Sequence, residues 1–218
     1  GFMDFAHKSG LVVYMNDHPM QHAPQLSPAE VQFRWDGMTS LFGHGLDFWW
    51  YDENWHGIIP GLDLADGPVD HLVWGQEIFR SVTEEYTKIK GPRTPGFGAL
   101  SLSMYSSSHP AEHRFPVWWT GDVHYTELLD NVHKMVNGGT NLQPYVHPDC
   151  GAHYGAVNTS ETPEMFVRWV QFCSMGTIIR IHSNTCCDHR PWSWGWEAED
   201  AIRDTLKRRY ALIPALVA

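Results

Sequence analysis

The 218-residue chain has little cysteine, a deficit of basic charge and no long apolar run, and each shortage removes a class of function. Its four cysteines, Cys150, Cys173, Cys186 and Cys187, form no C-x-x-C pair, which argues against a zinc ribbon or a thioredoxin-type redox site. The vicinal Cys186 and Cys187 do not easily bridge to each other, so free thiols are expected. Fifteen basic residues face 25 acidic ones, a formal charge of −10. Nucleic acid and anionic membrane surfaces attract Lys/Arg patches, so neither is expected as a partner. No apolar run approaches the ~18–20 residues that span a bilayer. No strand-like segment is followed by a G-x-G-x-x-G or G-x-x-x-x-G-K-[ST] loop, so a nucleotide cofactor is disfavoured and no cofactor is expected.

Tryptophan and histidine, by contrast, are plentiful: 11 and 14 residues. Several tryptophans stand directly beside acids, in "LDFWWYDENWHG" (Leu46–Gly57) and in "FPVWWTGD" (Phe115–Asp122). Indole rings offer flat apolar faces to the C–H faces of sugars, although such rings also serve general packing. The clustering therefore raises a carbohydrate site against a well-filled aromatic core.

Strand and helix signals alternate along the chain. Strands are expected at Leu11–Asp17, Leu46–Asp52, Gly98–Tyr105, Phe115–Trp119, Asn141–Val146 and Thr177–His182. "SPAE" at Ser27 is a capping box that starts a helix ending near Phe42. Further helices are expected over about 71–89, from Val123 on the spacing of Leu128, Leu129, Val132, Met135 and Val136, from Thr162-Pro163-Glu164, and from Glu197 to Ile213. Alternation of this kind predicts a parallel sheet, doubly wound or closed as a barrel. Polar residues gather where the strands end: Asp17 and His18, Asp52, Asp122, Asp149 and His182. In a β/α barrel that edge is the active face.

Two carboxylates stand out, because Asp52 and Asp122 each follow a Trp-rich strand. Glycosidases that retain configuration use two carboxyl groups about 5–5.5 Å apart, one as nucleophile and one as acid and base. Strand-end aspartates also cap helices, so the pattern by itself leaves both roles open. Arg114 would be a surface ion pair or a sugar-hydroxyl contact, and His182 a satisfied neighbour or a hydroxyl donor. "HPDCGAH" (His147–His153) collects metal-ligand residue types at a spacing that matches no zinc signature, and no metal is expected.

At these residues the chain resembles glycoside hydrolase family 31, the retaining α-glucosidase and α-xylosidase family. "GLDFWWYDEN" is similar to the family's nucleophile motif, W-x-D. "RFPVWWTGD" matches R-Y-P-V/I-x-x-S-G-D nearly throughout, and "DCGA" stands where the family has D-I-G-G. "RWVQF", Arg180-Ile181-His182, "RPW", "RRYALIP" and, upstream, "GLVVYMNDHP" follow in family order. The resemblance implies Asp52 as nucleophile and Asp122 as acid/base. It implies that Arg114, His182 and Asp149 hold hydroxyls and that Trp50 or Trp119 walls the cleaved sugar. The substrate would be an α-linked oligosaccharide or glycoside. The implied fold is a (β/α)8 TIM barrel, present here in part: residues 1–218 would carry approximately strands three to eight, without the first two strands and the flanking β-domains. A glucosyltransferase on the same scaffold, or a non-catalytic carbohydrate-binding remnant, are the rival readings. A third, a His/Asp metal hydrolase, would lose its activity to a chelator. Ala152 replaces the second glycine of D-I-G-G, where a Cβ would crowd the loop if the backbone needs positive φ.

Overall fold

The chain divides into two units, Gly1–Pro116 and Val117–Ala218, seen in a computed structural model that describes residues 1–17, 28–51, 81–82, 84–86, 88, 101–103, 117–141, 143, 145–154, 161–184 and 188–216. The first unit contains helix α1 (Phe2–Lys8), strand β1 (Tyr14–Asp17), helix α2 (Pro28–His44), and strands β2 (Phe48–Tyr51) and β3 (Ser101–Ser103). β1 pairs in parallel with β2, from Tyr14 opposite Phe48 to Asp17 opposite Tyr51, and β2 pairs in parallel with β3. Parallel neighbours need a crossover between them, and α2 supplies the one from β1 to β2.

Asp47, one residue before β2, ties the start of β2 to the start of β1. Its carboxylate accepts the Val13 N–H at 2.7 Å and meets His7 Nε2 at 2.8 Å, and its own N–H donates to the Val13 carbonyl at 2.8 Å. The aspartate of "LDF" is thus a structural clamp, with α1 attached to it through His7. Seven residues are too few for periodicity to reveal, and α1 was not expected from the sequence. Met38 and Phe42 from α2, Leu46, Trp49 from β2 and Val82 make the core here, and the Tyr86 hydroxyl donates to the Phe42 carbonyl at 2.8 Å. Burying such a side chain is worth roughly 1.5–3 kcal/mol. Residues 81–82, 84–86 and 88 are helical, as expected for the amphipathic stretch.

The second unit runs β4 (Val117–Trp119), α3 (Leu128–Thr140), β5 (Tyr145–His147), α4 (Pro163–Ser174), a 3₁₀ turn (Pro191–Trp194) and α5 (Trp196–Leu216). β4 and β5 are parallel, with Trp119 opposite His147. α4 starts as its sequence dictates: the Thr162 hydroxyl accepts the Met165 N–H at 3.2 Å and Pro163 takes the first turn. Phe166, Trp169, Val170 and Cys173 form its buried face, against Val123, Tyr125, Cys150, Ala152 and Ile202. Cys150 and Cys173 are free and buried, and burial followed by the neighbouring Cys173 pushes the Cys150 thiol well up.

Two sequence expectations are corrected. On α3, Leu129 and Val136 of the expected apolar stripe are exposed, whereas Asn131 is buried. Asn131 accepts the Thr120 hydroxyl at 2.9 Å and donates to the Glu127 carbonyl at 2.9 Å, so its amide is satisfied inside and ties α3 to the end of β4. The expected strand Thr177–His182 is a single parallel bridge between Cys150 and Ile181. Arg209 on α5 takes the carbonyls of Ser174, Gly176 and Thr177 at 2.8, 2.5 and 3.0 Å, and a carbonyl held by a guanidinium does not extend a ladder. The parallel β/α pattern stands in both units, and among the described residues neither unit by itself closes a ring of strands.

Candidate active site

The site in the second unit forms where β4 and β5 end. Parallel strands finish on the same edge, so the residues after Trp119 and after His147 emerge together. The first loop carries Thr120, Gly121 and Asp122; the second carries Pro148, Asp149, Cys150 and a tight turn. In that turn Gly151 has φ +92° and Ala152 φ +79°, and the Ala152 N–H returns to the Asp149 carbonyl at 2.9 Å. The turn then delivers the N–H groups of His153 and Tyr154 to the Val123 carbonyl, each at 3.0 Å. Two residues that the sequence separates from Asp122 by about thirty positions are thereby placed beside it.

Ala152, which stands where the family has a glycine, takes the positive φ on which the expectation turned. Ala152 is fully buried in a left-handed conformation, which costs an L-residue roughly 1–2 kcal/mol. At Gly151 the room is smaller. A Cβ there would lie 2.9 Å from Phe166 Cε2 and 3.1 Å from His189 Nδ1. Gly151→Ala is expected to lower stability by roughly 2–4 kcal/mol, from left-handed strain and overpacking combined, and a denaturant midpoint measures it.

Asp122 is about one-third exposed. Its Oδ2 accepts the Tyr154 hydroxyl at 3.2 Å, and its Oδ1 lies 3.3 Å from His153 Nδ1. The charge on Asp122, followed by partial burial, pushes the Tyr154 hydroxyl up. His153 Nδ1 also lies 2.8 Å from His182 Nε2, with the two rings stacked. Asp149 is fully buried and paired with Arg180. The Arg180 guanidinium also lies 5.0 Å over the Trp119 ring and 3.3 Å from His182 Nδ1. Burial first, and then the charge on Arg180, push His182 down to about 4, so it is neutral at ordinary pH. Its main chain is fixed as well: its N–H donates to the Cys150 carbonyl at 3.1 Å, and its carbonyl meets His189 Nδ1 at 2.6 Å.

The residues expected from the sequence divide accordingly. Asp122, Asp149, His182 and Trp119 stand on this edge of the second unit, Asp149, His182 and Trp119 linked through Arg180 and Asp122 joined to His182 through His153. Trp50 is buried on β2 in the first unit. Asp52 and Arg114 lie outside the described residues. His153, Tyr154 and Arg180 had no assigned role in the sequence. His153 appeared there as one ligand type in "HPDCGAH", and its contacts with Asp122 and His182 arise only through the turn.

Asp149, His153 and His182 offer three ligand-type atoms within 4.8 Å of one another. The chemistry of the set does not suit a cation. Arginine has only donors, so the Nδ1 of His182 accepts from Arg180 and the ring proton sits on Nε2, where a cation would need a lone pair. Arg180 already neutralises Asp149 and would repel a second positive charge. Within the trio His153 and His182 share a hydrogen bond, while Asp149 pairs with Arg180. His147, the remaining histidine of the stretch, is buried and pushed down to about 3 by that burial and then by Arg180, and it points at the neighbouring Pro148 carbonyl.

Parallel β/α units with a carboxylate–histidine–arginine network at the strand ends have the pattern of a β/α barrel, a class of fold whose chemistry lies at the strand mouths. The chain belongs to glycosyl hydrolase family 31: residues 5–218 match "Glycosyl hydrolases family 31 TIM-barrel domain". An alpha-xylosidase of Emericella nidulans is 28% identical over 137 residues, 63% of this chain and 16% of that protein. Neutral alpha-glucosidase AB of Mus musculus is 33% identical over 145 residues, 66% of this chain and 15% of that protein. Among solved structures, a Flavobacterium johnsoniae dextranase complexed with glucose superposes with a TM-score of 0.65 at 19% identity, over 95% of this chain and 28% of that one. The chain spans about a sixth of the length of these two curated relatives.

Proposed function

We propose that this chain is the catalytic part of an α-glycoside hydrolase that works by double displacement. Its 218 residues would be strands three to eight of the barrel, with the first two strands and the flanking β-domains carried by the rest of the protein. Asp52 attacks the anomeric carbon of an α-linked glycosyl unit. Asp122 protonates the departing oxygen and later takes a proton from water, which releases a sugar of unchanged configuration. His182 and Arg114 hold hydroxyls of the cleaved unit, Asp149 supports His182 from beneath through Arg180, and Trp119 and Trp50 flank the sugar. The chemistry needs no cofactor.

The observation that carries this reading is the placement of Asp122. It is partly solvent-reachable at the end of a Trp-rich strand, accepts the Tyr154 hydroxyl on Oδ2, and lies beside a polar network whose outer members, His153 and His182, are only half buried. The assignment of Asp52 rests on its motif. A 5-fluoro-α-glycosyl fluoride, whose covalent intermediate turns over slowly, tests it in the enzyme that carries this chain. The labelled peptide is expected to contain Asp52, and a label on any other carboxylate would reject the assignment.

A further inference from the structure

We propose that Tyr154, backed by His124, forms the leaving-group subsite, an aromatic rim on which the departing part of the substrate, a second pyranose, stacks. The inference rests on the reading of Asp122 as the acid/base and deepens it by naming what stands on the far side of the scissile bond.

The rim is assembled by the main chain. The loop after β4 and the turn after β5 run side by side. The Tyr154 N–H donates to the Val123 carbonyl at 3.0 Å, the Tyr125 N–H donates to the Tyr154 carbonyl at 3.2 Å, and His124 and Tyr154 form a parallel bridge. The His124 N–H is held as well, by Glu127 Oε2 at 3.0 Å. The two rings lie 4.9 Å apart and tilted by 30°, and the His153 ring meets that of Tyr154 edge-on at 4.5 Å. Tyr154 is nevertheless 39% exposed, and His124 is exposed too. An aromatic pair with its main chain fixed and its rings left in solvent contributes little to a core. It makes a good platform, because a tyrosine offers a large contact area with only two side-chain torsions to freeze.

Asp122 divides the site in two. Its Oδ1 faces His153 at 3.3 Å, with His182 2.8 Å behind that ring and the Arg180–Asp149 pair deeper still. Its Oδ2 accepts the Tyr154 hydroxyl at 3.2 Å, with His124 behind the Tyr154 ring. A general acid reaches the atom it protonates over about 2.6–3.2 Å, so the leaving oxygen lies one hydrogen bond from Asp122. The cleaved unit, held by His182 in that reading, takes the His153 side. The departing unit is bonded to the same oxygen and takes the other side, where Tyr154 is the first side chain it meets. The chemistry of the rim suits a pyranose. A sugar brings a flat C–H face for an aromatic ring and hydroxyls around its edge, and Tyr154 and His124 combine ring surface with a phenol and an imidazole. A methyl group covers little of either ring.

The test uses the full enzyme, methyl α-glucoside, and whichever α-linked glucose disaccharide the parent enzyme cleaves fastest. Both leaving groups are poor and need the acid, so any disturbance of Asp122 cancels in the ratio of their kcat/KM values. Tyr154→Ala is expected to lower the disaccharide-to-methyl ratio about tenfold, chiefly through a higher KM for the disaccharide. His124→Ala should lower it about threefold, and Tyr154→Phe, which keeps the ring, should hold it within about twofold of the parent. A parental ratio in Tyr154→Ala would overturn the inference. So would an equal loss on both substrates, since that is the mark of a residue that serves only Asp122 or the fold. Should Tyr154→Ala be inactive on both, His124→Ala decides by the same ratio. Full methyl α-glucoside activity in Asp122→Asn would reject the underlying reading itself, and the inference with it.

Discussion

Asp122→Ala, in the enzyme that carries this chain, is expected to lower kcat on alkyl α-glycosides by about 10²- to 10⁴-fold, the usual contribution of a positioned general acid. The loss should be uneven in an informative way. Glycosides of acidic phenols need no proton on their leaving oxygen, so the covalent intermediate should still form on them, and its hydrolysis should become the slow step. A burst of phenol followed by slow turnover is the expected time course. Added azide, which needs no general base, should speed the second phase and give a glycosyl azide of unchanged configuration. Equal losses on good and poor leaving groups, with no response to azide, would remove Asp122 from the acid/base role. The structure gives the aspartate two fixed contacts, one from Tyr154 and one facing His153, and both belong to the turn after β5.

Asp149→Ala is the second change with a large expected effect, here on stability. Asp149 is fully buried, and its partner Arg180 retains only about one-sixth of its exposure. Removing one member of such a pair leaves the other charge in a poorly solvated place, at a cost of about 3–5 kcal/mol. For a unit of about 100 residues each kcal/mol lowers Tm by roughly 4–8 °C. A thermal melt should therefore fall by well over ten degrees where this unit melts as a single transition. Asp149→Asn should recover part of the loss, because an amide oxygen still accepts from the guanidinium. A melt within a degree or two of the parent for Asp149→Ala would show that Trp119 and the remaining neighbours suffice to hold Arg180.

The parts of the molecule governed by local rules were legible in advance. Thr162-Pro163 starts α4 where a cap and a proline predict, and its buried face follows the 3.6-residue period. β1, β2 and β4 fall inside the stretches their branched and aromatic residues mark, and they pair in parallel as alternation requires. What escaped depends on contacts between distant positions. Thr177–His182 has the composition of a strand, yet Arg209, some thirty residues further on, takes the carbonyls at its start. Asn131 sits inside and Leu129 outside because Thr120 supplies a partner that no periodicity foretells. The same holds at the site. Asp122, Asp149 and His182 are visible as strand-end polar residues, while the nearness of His153 to Asp122 depends on two consecutive positive-φ residues, one of them an alanine.

Arg209 carries one more implication. Its guanidinium is buried and stitches α5 to the carbonyl of Ser174, the last residue of α4, and to those of Gly176 and Thr177 beyond it. The segment leading from there to Arg180 and His182 is consequently anchored at its root by a residue nearly thirty positions downstream. The firmness of the Arg180–His182 segment is borrowed from the far end of the last helix, and any rearrangement that slides this helix along its axis would be felt first at the strand mouths.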